Sequence, residues 1–252
     1  EAIISLYFFE KAYPQSNKKF WVLAQLAQLY TEMNEPESLK KSEAYLTTVI
    51  DSKQKNQQLH YESLLNRGKA RIQSHALQSA TDDFSQAAKV AASHKMPINQ
   101  VSSPIYMAGM AQYLLGQEKG NPDNHSQAAD FFKKVIEFNA DLTEKAFIMR
   151  SIALRRAKKW QEAIDNLEAM LTRFPKNNEA HYLLGLSLFD AGDIERGIKI
   201  MNNFIAKNPQ DKRAPEAIIE SLRAAVYNSD KRQSRDQSLK LIKSFEAKLK
   251  DS

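Results

Sequence analysis

The chain contains no cysteine, little glycine and no long apolar run. Without cysteine it cannot form disulfides, thiolate-ligated zinc sites or cysteine nucleophiles. Only 7 of the 252 residues are glycine. The frequent residues Ala, Leu, Lys, Glu and Gln favour helices over sheets. No apolar run approaches the roughly 18 residues that span a bilayer, and no Asn-Gly turn separates two alternating segments. The sequence therefore predicts a helical chain without a transmembrane segment.

Motifs for catalysis and for cofactor binding are also missing. No glycine-rich loop of the phosphate-binding kind is present. None of the five histidines has a second histidine or a carboxylate at the spacing of a helical metal site. Asp82 and Asp83 are adjacent on a predicted helix, so their side chains point in different directions and are not expected to act as a pair. We therefore predict a protein that is not an enzyme and that has no cofactor and no metal site. The histidines are His60, His75, His94, His125 and His181.

The net charge of +6 is concentrated near the end of the chain. Residues 231–250 contain seven basic and two acidic residues, so the remainder is close to neutral. No aromatic residues alternate with basic ones as in a base-stacking surface, and nucleic acid is not an expected partner. A second basic cluster is interpreted either as a solvated helix end or as a patch for an acidic partner. Its members are Arg155, Arg156, Lys158 and Lys159.

The strongest signal is a period of 34 residues between residues 144 and 211. Each of the two units has small residues at positions eight and twenty, which let two helices approach closely. Each unit has proline at position thirty-two, where it ends the second helix. This pattern resembles the tetratricopeptide repeat. The matching residues are Ser151, Ala163, Met170 and Pro175 in one unit and Gly185, Gly197, Phe204 and Pro209 in the next.

The resemblance extends to most of the chain. It predicts an array over residues 1–211, with repeats near residues 17–58, 61–94, 102–143, 144–177 and 178–211, and a capping helix pair over 212–252. Residues 2–14 match the second helix of a truncated repeat through Ala2, Leu6, Phe9 and Pro14. Loop insertions are expected near residues 34–38 and 117–123, with Gly116 ending the preceding helix. The implied fold is all-α, a right-handed superhelical solenoid of antiparallel helix hairpins with about 13 helices.

The resemblance also implies a function, which is protein–protein interaction through a concave groove lined by the first helix of each repeat. In the first two full repeats the groove positions are mostly polar. They are Lys18, Trp21, Val22, Gln25 and Gln28, then Glu62, Leu65, Asn66, Lys69 and Ile72. In the last three repeats they are mostly apolar. The partner-binding residues predicted from these three repeats are Tyr106, Met107, Met110, Tyr113, Met149, Ile152, Arg155, Arg156, Tyr182, Leu186 and Phe189.

This apolar half-groove predicts a protein or peptide partner that is apolar or amphipathic, with an acidic group for Arg155 and Arg156. Two alternatives stay open. If the register is shifted by one residue, the same side chains are packing residues between helices. A helix over residues 234–250 could instead fill the groove with its own apolar stripe of Leu239, Ile242, Phe245 and Leu249. Asn66 is the only match to the clamp that binds chaperone C-termini, so a cochaperone role is not expected.

Two biological roles agree with these features. The first is a scaffold in a larger bacterial assembly associated with the cell envelope. The second is a regulatory peptide-sensing domain of a larger protein whose output domain is absent here. The start at Glu1 without methionine suggests a processed or excised piece. Absence of cysteine fits the bacterial periplasm and the cytoplasm, and the periplasm is favoured.

Overall fold

The structure is a computed structural model that describes residues 1–52, 56–227 and 243. These residues form twelve α-helices and no strand, which confirms the predicted all-α fold of helix hairpins. The predicted helix over residues 234–250, its apolar stripe and the basic segment 231–250 lie outside the described residues, apart from Lys243. The helices are α1 (Ala2–Ala12), α2 (Lys19–Met33), α3 (Pro36–Asp51), α4 (Gln57–Gln73), α5 (Leu77–Ser93), α6 (Ile98–Lys119), α7 (Pro122–Phe138), α8 (Thr143–Arg156), α9 (Trp160–Arg173), α10 (Asn178–Asp190), α11 (Ile194–Lys207) and α12 (Ala214–Tyr227).

Contacts divide the chain into two compact units, Glu1–Ala146 and a second that begins at Phe147. In the first unit α2 packs on α3, α4 on α5 and α6 on α7. In the second unit α10 packs on α9 and α11, and α12 packs on α11. Short turns join the two helices of each hairpin, so consecutive helices run in opposite directions.

The two expected loop insertions are wrong. Helix α2 ends at Met33 and α3 already begins at Pro36, while α6 continues through Gly116 to Lys119 and α7 begins at Pro122. Both prolines occupy the first turn of a helix. An N–H at this position would have no partner within the helix, so its absence in proline costs no hydrogen bond. The sequence composition predicts loops at both prolines, but the inserted residues lengthen helices instead.

Gly116 does not end α6 but allows a close approach between helices. A Cβ atom at this position would lie 2.7 Å from Cε1 of the His125 ring on α7. Gly68 has the same role on α4, where a Cβ atom would lie 2.6 Å from Cε1 of Phe84. Phe84 and Phe132 are fully buried in the first unit. In the α4–α5 hairpin, the glycine at position eight is therefore required by an aromatic ring from the second helix.

A buried charge network holds α4 against its neighbours. Both Nε and Nη2 of Arg67 donate to the carboxylate of Asp83 on α5, the latter at 2.7 Å. Arg71 donates to the same carboxylate at 2.9 Å and to Glu43 on α3 at 2.7 Å. The Asp83 side chain is 4% exposed, whereas its neighbour Asp82 is exposed. Paired and hydrogen-bonded in this way, the buried charges fix how α3, α4 and α5 lie relative to one another.

Candidate partner-binding site

All eleven predicted groove residues lie on first helices, but they divide between the two units. Four are on α6 in the first unit, and seven are on α8 and α10 in the second. None of their apolar side chains is among the exposed large apolar residues of the described chain. Each unit therefore presents its own, partly covered set of predicted residues.

The α6 residues pack into their own hairpin. The Tyr106 ring lies 5.3 Å from that of Phe132 on α7, and burial raises the pKa of Tyr106. Tyr113 is buried, with its ring 5.2 Å from that of His125. Met107 packs against the buried cluster around Phe84, and Met110 is half-buried. Only part of each side chain remains available to a partner.

The α10 residues also contribute to a core. Tyr182 is 7% exposed, and its ring lies 6.0 Å from that of Phe204 on α11. Burial, followed by a hydrogen bond to Glu216, raises the pKa of Tyr182 far above its usual value. Leu186 and Phe189 pack against the same cluster. A register shifted by one residue predicts that Tyr182 packs between helices, and these contacts agree with that alternative.

The α8 residues are more accessible, although one arginine is already paired. Arg155 donates from Nε to the carboxylate of Asp190 at 2.7 Å, within the second unit. Arg156 is exposed, and Met149 and Ile152 are half-buried. Of the two arginines assigned to an acidic partner group, Arg156 is therefore the one whose guanidinium faces solvent.

An open pocket lies between α2 and α4 in the first unit. Its volume is about 280 Å³, close to the lower limit of pockets that hold small ligands. Gln28, Asn66 and Lys69 are at groove positions predicted from the sequence, but they are not among the eleven predicted partner-binding residues. The complete lining is Gln28, Thr31 and Glu32 on α2 and Asn66, Lys69 and Gln73 on α4.

The α4 side of this pocket is a polar stripe that the sequence spacing could have revealed. Asn66, Lys69 and Gln73 are separated by three and four residues, which places them on one face of a helix. Within the described residues, these three side chains form no hydrogen bond or ion pair with the protein. They therefore present free donors and acceptors to whatever enters the pocket.

The α2 side of the pocket is fixed by its own bonds. The Thr31 hydroxyl donates to the carbonyl of Ala27 at 2.9 Å and contacts the Ser42 hydroxyl at 2.7 Å. Gln28 donates to the Glu32 carboxylate at 3.2 Å. The side chains on the α2 side are thus bonded within the chain, whereas those of the α4 stripe have no partner among the described residues.

Among residues 1–52, 56–227 and 243, no group of three or more His, Asp or Glu side chains is placed to hold a metal ion. No helix in this part of the chain is long and apolar enough to cross a membrane. What the pocket offers is amide, ammonium and carboxylate groups for recognition.

Comparison with known proteins agrees with the repeat pattern. The family model described as tetratricopeptide repeat matches residues 148–212. None of the curated proteins matches the sequence.

Solved structures share the fold at low sequence identity. The C-terminal part of a TPR repeat-containing protein from Cytophaga hutchinsonii has a TM-score of 0.63 at 15% identity, over 96% of this chain and 89% of that one. YrrB, described as a TPR protein with an unusual peptide-binding site, has a TM-score of 0.57 at 17% identity, over 83% and 96%. MamA from Desulfovibrio magneticus RS-1 has a TM-score of 0.53 at 19% identity, over 74% and 96%.

Proposed function

Because this chain is a tetratricopeptide-repeat protein, with a fold typical of interaction scaffolds rather than of enzymes, we propose that it binds an extended segment of a partner protein. The segment lies along the first helices of the first unit and is held in the pocket between α2 and α4. The observation that carries this proposal is the free polar stripe of Asn66, Lys69 and Gln73. YrrB is a relative in fold whose description names peptide binding.

The chemistry of the stripe suits a peptide main chain. Carboxamides such as those of Asn66 and Gln73 both donate and accept, as peptide groups do. From Asn66 to Gln73 the helix rises about 10 Å, which is the length of about three extended residues. The Lys69 ammonium favours a carboxylate nearby, from an acidic side chain or a chain end.

The apolar residues of the other first helices have a secondary role in this proposal. Met107 and Met110 in the first unit, and Met149 and Ile152 in the second, keep part of their surface open. Methionine side chains adapt to partners of different shape. We assign them contacts with apolar side chains of the partner, within each unit separately. Membership of an envelope-associated assembly, a peptide-sensing role and the bacterial compartment stay predictions.

The test is a peptide selected on the full chain from a random library displayed on phage. Its affinity is measured by calorimetry for the wild type and for the variant Lys69→Ala/Gln73→Ala. Two lost hydrogen bonds, one of them charged, correspond to about 2 kcal/mol, so the affinity is expected to fall at least about tenfold.

The control variant Gln86→Ala/Lys89→Ala removes the same two side-chain types from exposed positions of α5, and it should bind like the wild type. Circular dichroism checks that both variants keep the wild-type helix content. A selected peptide that binds both variants equally well would show that the pocket is not the binding site.

A further inference from the structure

The pocket between α2 and α4 carries one charge of each sign, on opposite sides. Of its lining residues, Glu32 on α2 is acidic and Lys69 on α4 is basic. Both residues are exposed, and in the described part of the chain neither forms an ion pair with a protein group. The pocket is therefore neutral as a whole, with a negative α2 side and a positive α4 side.

The two charges lie at different levels along the helices. Consecutive helices run in opposite directions, so α2 and α4, which contact each other, run in the same direction. Glu32 is in the last turn of α2, and Gln73 is the last residue of α4. Lys69 precedes Gln73 by four residues, which is about 6 Å along the helix axis. An extended chain covers that distance in about two residues.

We propose that the partner segment carries an acidic and a basic side chain two residues apart, and that the pocket reads both. This inference rests on the proposed function of the pocket. The acidic side chain lies beside Lys69, and the basic one lies beside Glu32 in the last turn of α2. Side chains two residues apart point to the same face of an extended segment, so both can enter the pocket. The pair of charges then sets the register of the segment on the groove.

Glu32 gives the pocket a selectivity that Lys69 alone would not provide. A segment with acidic side chains at both positions would place a carboxylate beside Glu32, and this repulsion disfavours it as a partner. Gln28 donates to the Glu32 carboxylate at 3.2 Å, which holds that carboxylate at the pocket. Because an ionised carboxylate accepts several hydrogen bonds, it can bind an ammonium or guanidinium group at the same time.

The first test is selection from the random phage-displayed library on three forms of the full chain, followed by sequencing of the enriched peptides. The wild type should enrich peptides with an acidic and a basic residue separated by one position. Glu32→Lys should lose the basic residue and enrich a second acidic one. Lys69→Glu should lose the acidic residue and enrich a second basic one.

Calorimetry then measures the coupling with two synthetic peptides, the most enriched wild-type peptide and a form whose basic residue is replaced by Glu. The wild type should bind the original peptide about fivefold more tightly, since an exposed ion pair is exchanged for a repulsion. Glu32→Lys should reverse this preference, and added salt should weaken it in both proteins. The control Glu162→Lys reverses an exposed acid of the second unit and should keep the wild-type preference.

The outcomes separate this inference from the proposed function. If no selected peptide binds Lys69→Ala/Gln73→Ala more weakly than the wild type, the proposed function fails and the inference fails with it. If selected peptides do depend on the pocket but show no preference for a basic residue, or if Glu32→Lys leaves that preference unchanged, only the inference is overturned. Thermal melting checks that the variants fold. Glu32→Gln, which removes the charge and keeps the size, should lose the preference for the basic residue.

Discussion

At the scale of single residues, the first unit contains two kinds of polar side chain with opposite roles. Asp83 is surrounded by the guanidinium groups of Arg67 and Arg71 and is removed from solvent. On the same helix as these arginines, Asn66 and Lys69 are open to the pocket. The buried network therefore fixes the helix whose other side carries the free stripe, so the stripe is held in place before a partner arrives.

The Asp83 network predicts a large loss of stability when its carboxylate is removed. In Asp83→Ala two partly buried guanidinium groups lose their shared acceptor, and breaking such a pair costs about 3 kcal/mol. The free energy of unfolding from urea titration measures the change. Asp82→Ala, on the exposed neighbour, is the control and should stay within about 0.5 kcal/mol of the wild type. Equal effects of the two substitutions would contradict a structural role for the network.

At the scale of helices, the sequence predicted hairpins well and some of their ends poorly. The residues Gly185 and Gly197 belong to a strict repeat, and they lie on α10 and α11 as expected. In the α6–α7 hairpin, however, Gly116 lies inside α6 and Pro122 begins α7, so neither residue is part of the predicted loop. Gly116 makes room for the ring of His125, 9 residues further along the chain. Helix propensity gives no information about this contact.

The Gly116 contact predicts a specific coupling between α6 and α7. Alanine is the better helix former by about 1 kcal/mol, but its Cβ would overlap the His125 ring, and overpacking costs about 1 to 3 kcal/mol. Gly116→Ala should therefore destabilise the wild type and cost less, or nothing, in the background of His125→Ala. A double-mutant cycle on the free energy of unfolding measures this difference. An equal cost in both backgrounds would show that the ring does not limit the position.

At the scale of the whole molecule, the fold could be predicted because it depends on local repetition. Each hairpin repeats the same spacing of small and apolar residues, so the pattern is visible without long-range information. The candidate site was less predictable. Tyr113 and Tyr182 have side chains suited to an interface, but whether such a ring faces a partner or the adjoining helix depends on packing, and both are buried.

The polar pocket was missed for a related reason. Gln28, Asn66 and Lys69 were at the predicted groove positions, yet surface helices commonly carry such residues, and composition alone does not distinguish a pocket from solvent-facing polarity. The distinguishing fact is that α2 and α4 together place six polar side chains around one open space. That arrangement requires the spacing between two helices, which the sequence does not contain.

The most direct test of the central claim is a titration of the ¹⁵N-labelled chain with the selected peptide, followed through its side-chain amide signals. If the segment binds between α2 and α4, the amide signals of Asn66 and Gln73 shift progressively with peptide concentration, while that of Gln86 on α5 remains in place. Saturating peptide that leaves the signals of Asn66 and Gln73 unchanged would contradict the account, because the partner would then bind elsewhere on the chain.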